Sequence, residues 1–205
     1  MAVCTPLFFL LLVLALVSCC DGFSTVPRSK TSQPILKPSV GENGNDVPFD
    51  LGCVANPVVL PPVDSQNGGE WQCYYYGNAG SWNHGHPCFL PTGSSGLAVS
   101  DDGISWTKVP GEENGGAILI PSDKKSDWDS VQTGVGDVVR LSDNLLHMYY
   151  FGGSDEALAM GPGSIVGFRM RIGRAKSTDN GRTWVKDDTY LLNYDEVEEG
   201  FFASY

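Results

Sequence analysis

Basic residues are the scarce charged kind in this chain: 13 Lys and Arg stand against 24 Asp and Glu, a net charge of −11 over 205 residues. So acidic a chain, with few Lys/Arg clusters, is a poor candidate for nucleic-acid binding. Cysteine is sparse as well. Of 6 cysteines, Cys4, Cys19 and Cys20 lie in the first twenty residues, which leaves Cys53, Cys73 and Cys88. An odd set argues against a disulfide-stapled scaffold, although Cys73 could bridge to Cys88 or Cys53. There is no Asn-X-Ser/Thr glycosylation acceptor. Amphipathic helices of three turns are missing too, and 25 Gly and 13 Pro point the same way. The chain reads as all-β.

Only one long apolar run is present, at 7–17, and Ser18-Cys19-Cys20 follows it. Residues 1–21 read as a signal peptide, with a signal anchor as the alternative. The run is too short for a comfortable membrane span, so no stable span is expected after cleavage. Residues 22–47 form a Ser/Thr/Pro-rich segment with Arg28, Lys30 and Lys37 and no acidic residue before Glu42. From Glu42 onward the balance is 10 basic against 23 acidic residues, a net of −13. Such a segment is a transit-like or disordered linker. With Phe23 near the junction it resembles the bipartite plastid presequences of algae with complex plastids. The expected destination is therefore the secretory pathway, ending outside the cell or in a plastid.

Residues 48–205 repeat. The first unit, 48–110, runs from Phe49-Asp50 through Pro57-Val58-Val59-Leu60 and Trp71-Gln72-Cys73-Tyr74-Tyr75-Tyr76-Gly77 to Ser100-Asp101-Asp102-Gly103-Ile104-Ser105-Trp106. The second, 128–188, runs from Trp128-Asp129 through Asp137-Val138-Val139 and Leu146-His147-Met148-Tyr149-Tyr150-Phe151-Gly152 to Ser177-Thr178-Asp179-Asn180-Gly181-Arg182-Thr183-Trp184. A third opens at Tyr194-Asp195. Units of several short strands with one shared signature predict the blades of a radial sheet. About two and a half blades are present where a closed ring of five is expected. The reading is a partial propeller, from a truncated chain or one completed by an oligomer or partner.

Within each turn, side-chain-to-backbone bonding by Ser100, Asp102 and Gly103, and by Ser177, Asp179 and Gly181, accounts for the spacing. Trp106 and Trp184 cover these turns, and with Trp71 and Trp128 they recur as core residues. Trp82 falls outside the pattern, in the long loop 78–96 with His84, His86 and Cys88. Loops of that length are commonly functional. Trp82, His84 and His86 are the carbohydrate-binding candidates. A metal at His84, His86 and Cys88 lacks a placed fourth ligand. Arg169, Arg171, Arg174 and Lys176 form a basic patch along one strand, with Arg171 out of phase with Arg174 so that both faces carry charge, either as an exposed edge or as a site for an anionic ligand.

These residues resemble the five-bladed propellers of the invertase, levansucrase and arabinanase superfamily of glycosyl hydrolases. The second turn also matches the Asp-box pattern of sialidase propellers. The resemblance implies a glycosidase or glycosyl transferase, or a non-catalytic carbohydrate-binding or protein-interaction propeller. It implies a funnel at the propeller axis, where carboxylates of differing pKa act on a glycosidic bond. No organic cofactor is expected, and pocket calcium occurs in some relatives. Carried over position by position, Asp50 takes the first-blade role, Asp129 or Asp137 the second, and Glu198 or its neighbours Glu196 and Glu199 the third. The Asn-Asp-Pro, Arg-Asp-Pro and Glu-Cys signatures of the invertases are absent. Asp50 and Asp129 therefore carry a second reading, as capping residues where each unit begins.

Overall fold

The computed structural model describes residues 34–41, 47–63, 69–80 and 92–194. It is an all-β structure built around two four-stranded antiparallel sheets. The first contains β1 (Cys53–Leu60), β2 (Trp71–Asn78), β3 (Gly93–Ser100) and β4 (Thr107–Val109), paired in that order. The second contains β5 (Gln132–Arg140), β6 (Leu146–Gly153), β9 (Met170–Ser177) and β10 (Val185–Lys186), again paired in chain order. A hairpin of β7 (Leu158–Met160) and β8 (Gly163–Ile165) is inserted between β6 and β9. Among the described residues the sheets do not close into a ring.

Local sequence explains this arrangement. In β2, seven consecutive residues from Gln72 to Asn78 are buried, because the strand has a neighbour on each edge and packing on each face. Its aromatic content suits such a position. In β9 Arg171, Arg174 and Lys176 are half-buried while Met170, Ile172 and Ala175 are buried, and Arg171 lies on the opposite face from Arg174 and Lys176. The core lies between the sheets. Tyr74 and Leu97 from the first meet Val135, Leu146, Met148 and Tyr150 from the second. Each fully buried side chain of this size contributes about 1.5–3 kcal/mol.

Two polar clasps fix the sheets against each other. Arg140 donates to Gln72 Oε1 at 2.8 Å and to Asn180 Oδ1 at 2.7 Å, and Gln72 Nε2 donates to the Asn180 carbonyl at 2.7 Å. Arg182 reaches both oxygens of Glu70, at 2.7 and 2.8 Å.

Three strand readings are corrected. Where the sequence reads as a long loop over 152–163 and a strand over 165–176, the structure has the β7–β8 hairpin and a later start to β9. The segment Trp184 to Leu192, which the sequence reads as extended after the second turn, is a strand at Val185–Lys186 with an isolated bridge from Leu192 to Ile172. The basic strand is not an edge, since β9 pairs with both β6 and β10.

Candidate functional site

Each sheet is pinned by the same three side chains. Just before β1 the chain runs Phe49-Asp50, and just before β5 it runs Trp128-Asp129. Both carboxylates are buried, 1% and 3% exposed. Tyr75 and Tyr150 donate to Asp50 Oδ2 and Asp129 Oδ2, each at 3.0 Å. Lys108 on β4 and Lys186 on β10 bind the same oxygens. The aromatic before each Asp stacks on the same Tyr, at 5.8 Å for Phe49 and 5.3 Å for Trp128. Glycine makes room for this. A Cβ on Gly77 would lie 2.6 Å from Asp50 Cβ, and one on Gly152 would lie 2.5 Å from Asp129 Cβ.

The electrostatics follow. Burial, and then the neighbouring carboxylate, push Tyr75 and Tyr150 far above the usual phenol range, so each hydroxyl stays protonated and donates. An oxygen already holding an ammonium and a phenol is poorly placed to attack a ligand or take its proton. Through Oδ2, Asp50 and Asp129 tie the start of each unit to its second and fourth strands. Lys108 and Lys186 escaped the sequence reading. Their signal was the repeated Trp-X-Lys spacing after both turns.

Asp137 stands apart from these two. It is exposed on β5, an edge strand, beside a bulge between Val135 and Asp137. Its Oδ1 accepts only the Val138 backbone N–H among the described residues, at 2.8 Å. β1 is the matching edge of the first sheet, with its own bulge between Ala55 and Val58. That bulge holds exposed Asn56 at φ 48°, and β1 packs against β5. Bulges on edge strands re-aim side chains, and a non-glycine residue at positive φ just before Pro57 is unusual. The Asn-Pro and Gly-Asp pairs inside Val-rich runs were the sequence signal for this edge.

The remaining candidates are placed as follows. Trp82, His84, His86 and Glu198 lie outside the described residues, as do Cys88 and Asp195. In the first turn Ser100 Oγ accepts from Gly103 N at 2.9 Å, and Asp102 Oδ1 accepts from Ile104 N and Ser105 N at 2.8 and 2.7 Å. In the second, Ser177 Oγ accepts from Gly181 N at 2.8 Å, and Asp179 Oδ1 accepts from the Arg182 and Thr183 N–H groups, both at 3.0 Å. Trp184 donates to the Gly181 carbonyl at 3.0 Å and meets Tyr74 edge-on, while Trp106 packs on the outer face of the first sheet. Cys53 and Cys73 are free thiols, which corrects the bridge considered between them. Burial pushes Cys73 up to about 11. Among the described residues no group of three or more His, Cys, Asp or Glu side chains could hold a metal ion, and no helix is long and apolar enough to cross a membrane.

A cleft opens beside each unit's leading aromatic. The first, about 510 Å³, is lined by Phe49, Thr92, Ser94, Asn114 and Ser130 among others. The second, about 390 Å³, is lined by Trp128, Tyr190, Arg171, Glu156, Asp155 and Lys125 with neighbouring serines.

No family model and no curated protein matches the chain. Solved structures do. One is a candidate glycoside hydrolase from Parabacteroides distasonis ATCC 8503, 14% identical with a TM-score of 0.53, in a match covering 84% of this chain and 43% of that one. At that identity the likeness concerns the fold. The present chain spans less than half the length of that protein.

Proposed function

We propose that the two sheets are successive blades of a glycosyl-hydrolase-type propeller, and that the domain binds or processes a carbohydrate along its inner edge. One observation carries this reading. The inner-edge strands β1 and β5 pack together, and both are bulged where they present exposed Asn56 and Asp137. The fold match to a candidate glycoside hydrolase supports it. Asp137 is the carboxylate on that edge. The acid–base partner that glycoside cleavage requires would come from the Glu196–Glu199 stretch or from further blades.

The test is a panel of aryl glycosides and oligosaccharides assayed with the full chain and with Asp137→Asn. Cleavage lost by about 100-fold or more in the variant, with an unchanged melting temperature, supports a catalytic role. Saccharide binding that needs Asp137, without turnover, identifies the non-catalytic module. Neither turnover nor binding on any member of the panel overturns the reading.

A further inference from the structure

We infer that the cleft beside Trp128 is a binding site for an anionic saccharide, a class that rests on the carbohydrate reading above. The two clefts occupy equivalent places, because Gly96 and Gly173 back onto Phe49 and Trp128 in the same way. Their chemistry differs. Where β3 places the small, buried Ser94, β9 places Arg171.

Arg171 is held firmly in the second cleft. Its Nη2 lies 3.0 Å from Glu156 Oε2, its Nε donates to Asn193 Oδ1 at 2.8 Å, and the guanidinium sits 5.3 and 5.1 Å from the Tyr190 and Tyr194 ring centres. Those two bonds use part of a five-donor fork, and a fork fixed in advance loses little freedom when it meets a carboxylate or sulfate.

The surrounding charge favours an anion. Arg169 and Arg171 share Glu156, so two cations stand on one carboxylate beside this cleft. That is a local surplus in a chain of net charge −11. Lys125 adds a further cation to the cleft, offset by Asp155. The apolar wall is present too. Tyr190 is 37% exposed and meets Trp128 edge-on at 6.1 Å, a surface for the C–H face of a sugar ring. A volume of about 390 Å³ falls within the roughly 300–1,000 Å³ usual for small-ligand pockets. A clasp that served only stability would need neither Lys125 nor the open Tyr190 face.

The experiment titrates the full chain with tetragalacturonate, a sulfated galactan tetrasaccharide and neutral galactotetraose, following tryptophan fluorescence at low and moderate salt. One or both anionic probes should bind, more weakly as salt rises, and the better of the two distinguishes a carboxylate from a sulfate ligand. Arg171→Ala should weaken binding about tenfold or more. Tyr190→Ala gives a second, more exposed variant and should also weaken it. Arg182→Ala, at the distant Glu70 pair, should leave it unchanged. The inference is overturned if neither anionic probe binds, or if both cleft variants bind normally. Binding of galactotetraose alone would overturn it while leaving the carbohydrate reading intact. Binding of no saccharide would overturn both.

Discussion

The two sheets share one plan and differ in what covers them. In the second, Tyr150 belongs to the core between the sheets, and Trp184 crosses to meet Tyr74 of the first. In the first, the corresponding Tyr75 and Trp106 face away from the second sheet, in a smaller cluster with Leu36 and Phe49. Segment 34–41 contributes there, since Lys108 also donates to the Lys37 carbonyl and to Ser39 Oγ, at 2.6 and 3.0 Å. What repeats between the sheets is scaffold: the leading Asp, the Tyr, the Lys, the glycines and the Ser/Asp turn. What does not repeat is where the chemistry differs, at Pro57 against Gly136, Val58 against Asp137 and Ser94 against Arg171.

The largest test of that comparison removes the buried carboxylates. Truncating one partner of a buried ion pair typically costs about 3–5 kcal/mol. Asp129→Ala should lie near that range, because it strands Tyr150 inside the main core and removes the carboxylate from half-buried Lys186. Asp50→Ala should cost about 1–2 kcal/mol less, since Lys108 keeps two other acceptors, each bond to a charged group being of roughly that worth. Urea denaturation of both variants, at matched slope, measures the difference. Losses below about 1 kcal/mol in both would remove the scaffold role and return these residues to the catalytic candidates.

The two turns give a finer contrast. Gly181 has φ +84°, and a Cβ there would sit 1.9 Å from the Tyr74 hydroxyl. Gly103 has φ +72°, but its nearest atoms are on the Trp71 ring at 3.2 Å. Gly103→Ala should cost about 1–2 kcal/mol for the left-handed backbone alone. Gly181→Ala adds overpacking of about 1–3 kcal/mol. Equal losses in thermal denaturation would mean that Tyr74 moves aside freely, and that the contact between the sheets is looser than its geometry indicates.

Much of this frame was legible in the sequence. Aromatic strands ending in Gly, Val-rich strands and Ser-X-Asp turns each have a local physical cause, so the paired sheets and the turn roles could be read directly. The Asp–Tyr–Lys tie was half legible. Asp50 and Asp129 stood out, but the Trp-X-Lys spacing alone does not tie Lys108 and Lys186 to them, because only the folded sheet brings a fourth strand beside the chain that precedes the first. The bulges at Asn56 and Gly136 were hidden for a similar reason, since they show only in register against β2 and β6. The β7–β8 hairpin turns at Gly161-Pro162, a breaker pair that reads equally well as loop. The roles of Arg169 and Arg171 depended on Glu156 and the tyrosines at 190 and 194, partners that periodicity along one strand does not reveal.

The smallest predicted effect concerns acid. Backbone N–H groups of Ser105 and Ile104, with the Ser100 hydroxyl, lower Asp102 to about 2. Burial works to raise Asp179, but Thr183, Ser177 and the Arg182 N–H outweigh it and bring that group to about 2 as well. Unfolded aspartate titrates near 3.8. A depressed folded pKa adds stability above the unfolded value, and the gain is lost as pH falls through about 4 toward 2. The melting-temperature gap between wild type and Asp179→Ala should therefore be full at pH 6 and narrow toward pH 2. Asp102→Ala should follow the same course with a smaller gap, because its carboxylate is fully exposed and solvent screens its contacts. A gap that stays constant with pH would show that these turns need only an acceptor oxygen and not its charge. The two turns would then differ in packing alone, at Gly181 and Trp184.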